Sequence, residues 1–135
     1  MREIKFRVWI PEHKKMFQVG NLVIPKGLNE LGDQELGVAE SYSITKPHHY
    51  IQPAIMQYTG LKDKNSKEIY EGDIVKIFNR EANCATIQWC DSEGGFTLRW
   101  ITPLSEDTEG IIAHVDRRGV EVVGNIYENP ELLGN

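Results

Sequence analysis

The amino-acid sequence predicts a mostly β protein, with an N-terminal β-hairpin subdomain, a C-terminal small antiparallel barrel and one short helical turn at the C-terminus. Three observations predict it. Charged and apolar residues alternate from Glu3 to Ile10, the mark of a half-buried strand. The segment Gln57–Phe78 reads as strand, turn, strand. From Ile55 onward, about five short alternating runs are separated by Gly-rich turns, as in small antiparallel barrels.

The elements follow in order. Ile4, Phe6, Val8 and Ile10 fall on one face of the first strand, and Glu3, Lys5, Arg7 and Trp9 on the other. Pro11 ends it, because proline cannot donate to the ladder. Glu12–Lys15 turns the chain, and Met16, Phe17 and Val19 return as a short strand. Between Pro25 and Pro53 the pattern weakens. Asn29–Leu36 reads as a turn or two of helix, interrupted by glycine, and Tyr42 and Ile44 as a short strand. Pro47 and Pro53 bracket His48, His49 and Tyr50 in an extended connection. The expected organisation is residues 1–54 as the hairpin and loop subdomain and residues 55–135 as the barrel.

Ile55–Thr59 is strand-like, and Gly60–Lys67 is dense in turn residues with Asp63, Asn65 and Ser66 at the apex. Asp and Asn favour such turns because their short side chains bond nearby backbone. Glu71-Gly72-Asp73 is a tight turn before the β-branched strand Ile74–Phe78. Ala85, Ile87 and Trp89 alternate on the next strand, and Phe96, Leu98 and Trp100 on the one after the turn Asp91–Gly95. Val120–Tyr127 is the last strand, with Gly124 as a bulge. Asn129 is positioned to cap a helical turn with Pro130 at its first position, and Leu132 and Leu133 are expected to pack back on the body.

Two strings in the strand–turn–strand segment carry a family resemblance: Gln57-Tyr58-Thr59-Gly60-Leu61-Lys62-Asp63-Lys64-Asn65 and Lys67-Glu68-Ile69-Tyr70-Glu71-Gly72-Asp73-Ile74-Val75-Lys76. Lys5-Phe6-Arg7-Val8-Trp9, Trp89-Cys90-Asp91 followed by Phe96, and Val122-Val123-Gly124-Asn125-Ile126-Tyr127-Glu128-Asn129-Pro130-Glu131-Leu132 agree with it. With these motifs the chain resembles the YopX family of phage and prophage proteins. The resemblance implies a β-rich fold with an SH3-like barrel in the C-terminal half and a phage or prophage origin, and it brings no catalytic residue or ligand. Family members often carry glycine after the turn asparagine, where this chain has Ser66. The left-handed residue of the turn is then Asn65 or a strained Ser66.

Composition bounds the function. The chain has 135 residues, 40% of them apolar and 26% charged, which is enough for one small globular core rather than a disordered chain. Its net charge of −5 opposes non-specific binding to phosphate backbones. Two cysteines, Cys84 and Cys90, make neither a disulfide framework nor a CxxC motif. No signal-like N-terminus and no spanning apolar run are present. The expected location is the cytoplasm of a bacterial host, with no membrane partner.

Candidate chemistry weighs lightly. His48 and His49 point to opposite sides of an extended chain, and His13 and His114 are isolated, so no metal site is expected. Cys84 and Cys90 read as small hydrophobes. Glu68, Glu71 and Asp73 flank turns, and Asp73 is expected to bond turn backbone. The serines sit in no nucleophile motif and no glycine loop matches a phosphate-binding pattern. No catalytic residue, cofactor or metal is therefore expected. A hydrolase using Asp73, Asp91 or a histidine is the weakest alternative.

Aromatic and basic residues remain. Trp89 and Phe96 alternate with polar residues and are expected in the core. Trp9 lies on the charged face of its strand beside Lys5 and Arg7. Trp9, Lys5, Arg7, Trp100, Arg99, Arg117 and Arg118 form the candidate interaction surface, with Arg80 a further basic residue. The function expected is a non-catalytic accessory protein that binds a phage or host protein or associates with itself. A nucleic-acid-binding barrel, stacking bases on Trp100 and holding phosphates with the arginines, is the alternative.

Overall fold

The computed structural model describes residues 3–19, 21–23, 37–39, 54–78, 84–101, 112 and 115–134. These residues are mostly strand, and the chain divides into two compact units, residues 5–55 and residues 1–4 with 56–135. The helical turn expected over 29–36, the strand at Tyr42 and Ile44, and the His48–His49 pair lie outside the described residues, as do Arg80 and His114.

In the first unit, β1 (Phe6–Ile10) and β2 (Lys15–Gln18) form the expected hairpin, with Val8 opposite Phe17. Its turn is closed by Lys14 N–H donating to the Pro11 carbonyl at 3.3 Å. Val8 and Ile10 are fully buried, with Phe17, Val19 and Ile55 packed on them. The alternation thus reads correctly for these two residues, whereas Ile4, outside the strand, is 62% exposed. β3 (Asn21–Val23) pairs antiparallel with β4 (Gly37–Ala39).

In the second unit, β5 (Ala54–Lys62) pairs with β6 (Glu68–Tyr70), Tyr58 opposite Tyr70. β7 (Asp73–Ile77), β8 (Cys84–Cys90), β9 (Gly95–Trp100) and β10 (Val120–Asn125) make an antiparallel sheet in the order β10-β7-β8-β9, which curls into a half-barrel. The core is built from its β-branched and leucine positions, among them Val75, Ile77, Ile87, Leu98 and Val120, with Ile69 of β6 joining them. The register of β10 on β7 shifts between Val122 and Gly124, the expected bulge. Helical turns occur at Arg117–Gly119 and Pro130–Leu133. Among the described residues, no helix is long and apolar enough to cross a membrane.

Three expectations need correction. Trp89 shares its face of β8 with buried Ala85 and Ile87 but is 48% exposed. It sits at the end of the strand, where its ring meets Phe96 edge-on at 5.2 Å and its indole N–H donates to Asp91 Oδ1 at 2.8 Å. A tryptophan with a polar partner for its N–H tolerates this half-wet position. Leu132 and Leu133 are 39% and 38% exposed and join no core cluster. Asn129 precedes the terminal turn, with Pro130 at its start, but makes no side-chain cap bond there. Its Oδ1 accepts from Asn125 N–H at 3.2 Å instead.

Candidate interaction surface

Asp63, Asp73 and Asn125, polar residues of the motifs quoted above, accept backbone N–H groups. Asp63 Oδ1 accepts from the N–H groups of Asn65 (2.8 Å) and Lys67 (2.9 Å), and its Oδ2 accepts from Val122 N–H (2.9 Å). Lys64 N–H donates to the Val120 carbonyl at 2.9 Å. The turn is therefore stitched along the outer side of β10, occupying the outward-facing groups of Val120 and Val122. The left-handed residue in that turn is Ser66, at φ 63°. Asp73, 1% exposed, accepts Tyr70 N–H at 2.8 Å through Oδ2. Asn125 Oδ1 accepts from the N–H groups of Tyr127 and Glu128, an Asx-type turn. Asn129 lies directly over Gly124, where an added Cβ would sit 2.6 Å from Asn129 Oδ1.

Glu71 stands apart. Burial raises its pKa above the ordinary carboxylate range, against the opposite pull of backbone hydrogen bonds from Gln57 and Trp89.

The two outer strands of the half-barrel differ. β10 is covered by the Asp63 turn. Among the described strands, none lies outside β9. Ile101 N–H donates to the Cys84 carbonyl at 2.9 Å, and Ile101 continues the register that sets Trp100 opposite Ala85. By the alternation of an antiparallel ladder, the backbone groups of Phe96 and Leu98 then point away from β8.

The residues expected at a surface are placed as follows. Arg7 is 8% exposed and Trp9 and Lys5 are half-buried, so the charged face of β1 is not bare. The burial of Arg7 extends beyond its apolar stem to the guanidinium Nε. Trp100 is half-buried against the core of the half-barrel, and Arg99 is exposed. Arg117 and Arg118 are exposed and line an open depression of about 370 Å³ with Lys62, Asp63 and Lys64. Arg118 pairs with Asp116 at 2.9 Å and Lys64 with Glu121 at 3.0 Å. The side-chain hydrogen bond from Arg118, then that from its backbone N–H, lowers the Asp116 pKa. Among the described residues, Lys62 and Arg117 have no such ion pair.

Sequence reasoning found the arginines of this depression but missed Lys62 and Lys64. No local signal marked them: they flank Asp63, whose bond to Val122 N–H, 59 residues away, brings their segment to β10. Phe78 was also missed as a surface residue. It is 58% exposed at φ 53°, donates its N–H to the Gly119 carbonyl at 2.7 Å, and lays its ring against Gly119. Cys84 and Cys90 are half-buried in β8 and form no disulfide.

A hairpin unit followed by a curled antiparallel half-barrel, with several motif residues spent on turns, defines a small, mostly β protein. The chain belongs to the YopX protein family, which matches residues 5–134. The chain is similar along nearly its whole length to the crystal structure of EF1440 from Enterococcus faecalis. That match is 27% identical, covers 98% of this chain and 99% of the other, and has a TM-score of 0.62. The crystal structure of YopX from Bacillus subtilis shares the fold at 21% identity, covering 97% of this chain and 96% of that one, with a TM-score of 0.54. No curated protein matches the chain.

Proposed function

We propose that this chain is a phage- or prophage-encoded accessory protein, cytoplasmic in its bacterial host, that acts without catalysis by binding proteins, copies of itself first. The observation that carries the reading is the contrast between β10, whose outward backbone groups are taken by the Asp63 turn, and β9, which is outermost among the described strands. An outer strand is a template for pairing with another chain. Beside it, Trp89 is half exposed and stacked edge-on against Phe96, the kind of rigid aromatic that anchors interfaces. Two copies of β9 pairing antiparallel across a two-fold axis make a self-complementary contact.

The carboxylates that hydrolysis would call on support the same reading. Asp73 is buried on turn backbone, and Asp91 holds the Trp89 indole. Trp100 packs against the core, which weighs against its use as a stacking platform for bases.

Light scattering on size-fractionated protein tests the proposal. The expected result is a mass that rises with concentration, and a Trp89→Glu variant that stays monomeric. A strict monomer at millimolar concentration that also captures no host or phage protein overturns it.

A further inference from the structure

The depression beside the Asp63 turn has a composition that the edge of β9 does not explain. On a chain of net charge −5, it gathers Lys62, Lys64, Arg117 and Arg118 from segments more than 50 residues apart in sequence. The gathering is built in. Asp63 Oδ2 fixes the lysine segment to Val122, and Lys64 N–H fixes it to Val120, directly after the turn Arg117–Gly119. Lys64 and Arg118 are already paired, with Glu121 and Asp116. Lys62 and Arg117 carry charge with no ion pair among the described residues.

A second, independent feature adjoins it. Phe78, a bulky residue held at φ 53° and more than half exposed, rests its ring on Gly119, the last residue of the arginine turn. Positive φ at such a residue is strained, and that strain is found at functional sites more than elsewhere.

We propose that this depression is the docking site for an acidic segment of a partner polypeptide, with Phe78 receiving an apolar residue of the same segment. The inference rests on the reading of the chain as a protein-binding module. Its dimensions favour a polypeptide. About 370 Å³ accommodates a few side chains, and two available cations match two carboxylates, Arg117 offering the planar fork that binds one bidentately. A nucleic acid presents a charge about every 1.7 Å along a duplex, which would run the rest of the polyanion over an acidic protein. The five lining residues include no aromatic, and Phe78 beside them offers a single ring rather than the run of stacking platforms that successive bases need.

The test is fluorescence anisotropy at low salt. The probe is a labelled synthetic peptide of repeating Asp-Glu-Leu-Asp-Glu-Phe, with a lysine-for-acid peptide and short single-stranded and duplex DNA as comparisons. The acidic peptide is expected to bind, to weaken as salt rises, and to lose about tenfold in affinity in the double variant Lys62→Glu, Arg117→Glu. Phe78→Ser is expected to weaken it with unchanged salt dependence. Both cations are exposed, so the variant should melt as the wild type does; Lys62→Gln, Arg117→Gln replaces it if it does not. No binding of the acidic peptide, equal binding by the charge-reversed variant, or tighter binding of DNA than of peptide overturns the assignment. The mass of the double variant separates the two proposals. If it still self-associates while wild type ignores the peptide, this site fails alone. If wild type binds the peptide but stays monomeric, the β9 proposal fails alone.

Discussion

Loss of Asp63 is expensive, because one carboxylate serves several backbone amides. Its carboxylate takes three backbone N–H groups, two within its own turn and one from β10, and it is 7% exposed. A hydrogen bond to a charged acceptor contributes about 1.5–3 kcal/mol net, and a buried group left without its partner costs about 1–3 kcal/mol. The amides of Asn65 and Lys67 belong to exposed residues and can turn to water, so they sit at the low end; Val122 N–H has less access to it. Asp63→Ala is therefore expected to cost about 3–5 kcal/mol, out of the 5–15 kcal/mol or so that holds a domain together. Asp63→Asn discriminates the mechanism. Its carbonyl can still serve Asn65 and Lys67, but its NH₂ then faces Val122 N–H, donor against donor, so it should cost about 1.5–3 kcal/mol. Urea unfolding followed by tryptophan fluorescence measures both, and hydrogen exchange reads the Val122 amide directly, with protection lost in both variants. An alanine variant within about 1 kcal/mol of wild type, or an asparagine variant as damaged as alanine, refutes the hub.

Ser66→Gly relieves a left-handed serine and should raise stability by about 0.5–1 kcal/mol after glycine's greater unfolded-state freedom is subtracted; a lower urea midpoint contradicts it. Gly124→Ala drives a Cβ into Asn129 Oδ1 and should cost about 1–3 kcal/mol. Adding Asn129→Ala makes room, so the double variant should lose less than the sum of the singles, and simple additivity refutes the contact. Glu71 binds its proton more tightly folded than unfolded, so its contribution to stability falls as pH rises through the region just above the ordinary carboxylate pKa. The stability difference between Glu71→Gln and wild type should therefore shift in the variant's favour as pH rises across that region, and a flat difference contradicts the burial.

The strands were legible where the pattern had one cause. Ile74, Val75 and Ile77, and Val8 with Ile10, alternate or cluster because they line a core, and they are buried. Trp89 misled because period two reports which face a residue takes, not how far along the strand the covering layer reaches. Arg7 misled in the other direction: a charged residue reads as surface, yet its burial reaches the guanidinium Nε. The Asp63 turn was readable as a turn, but its bond to Val122 spans 59 residues and leaves no local trace. That one bond closes the edge of β10 and assembles the basic depression, so the candidate site was less legible than the fold.

In the proposed mode of association, β9 is the edge through which copies of this chain meet. Amide hydrogen exchange at increasing protein concentration tests it most directly. Protection at Phe96 and Leu98 should rise with concentration, while Val122, already bonded to Asp63, should not change. Association that leaves the Phe96 and Leu98 amides unprotected, or no association at all, contradicts it.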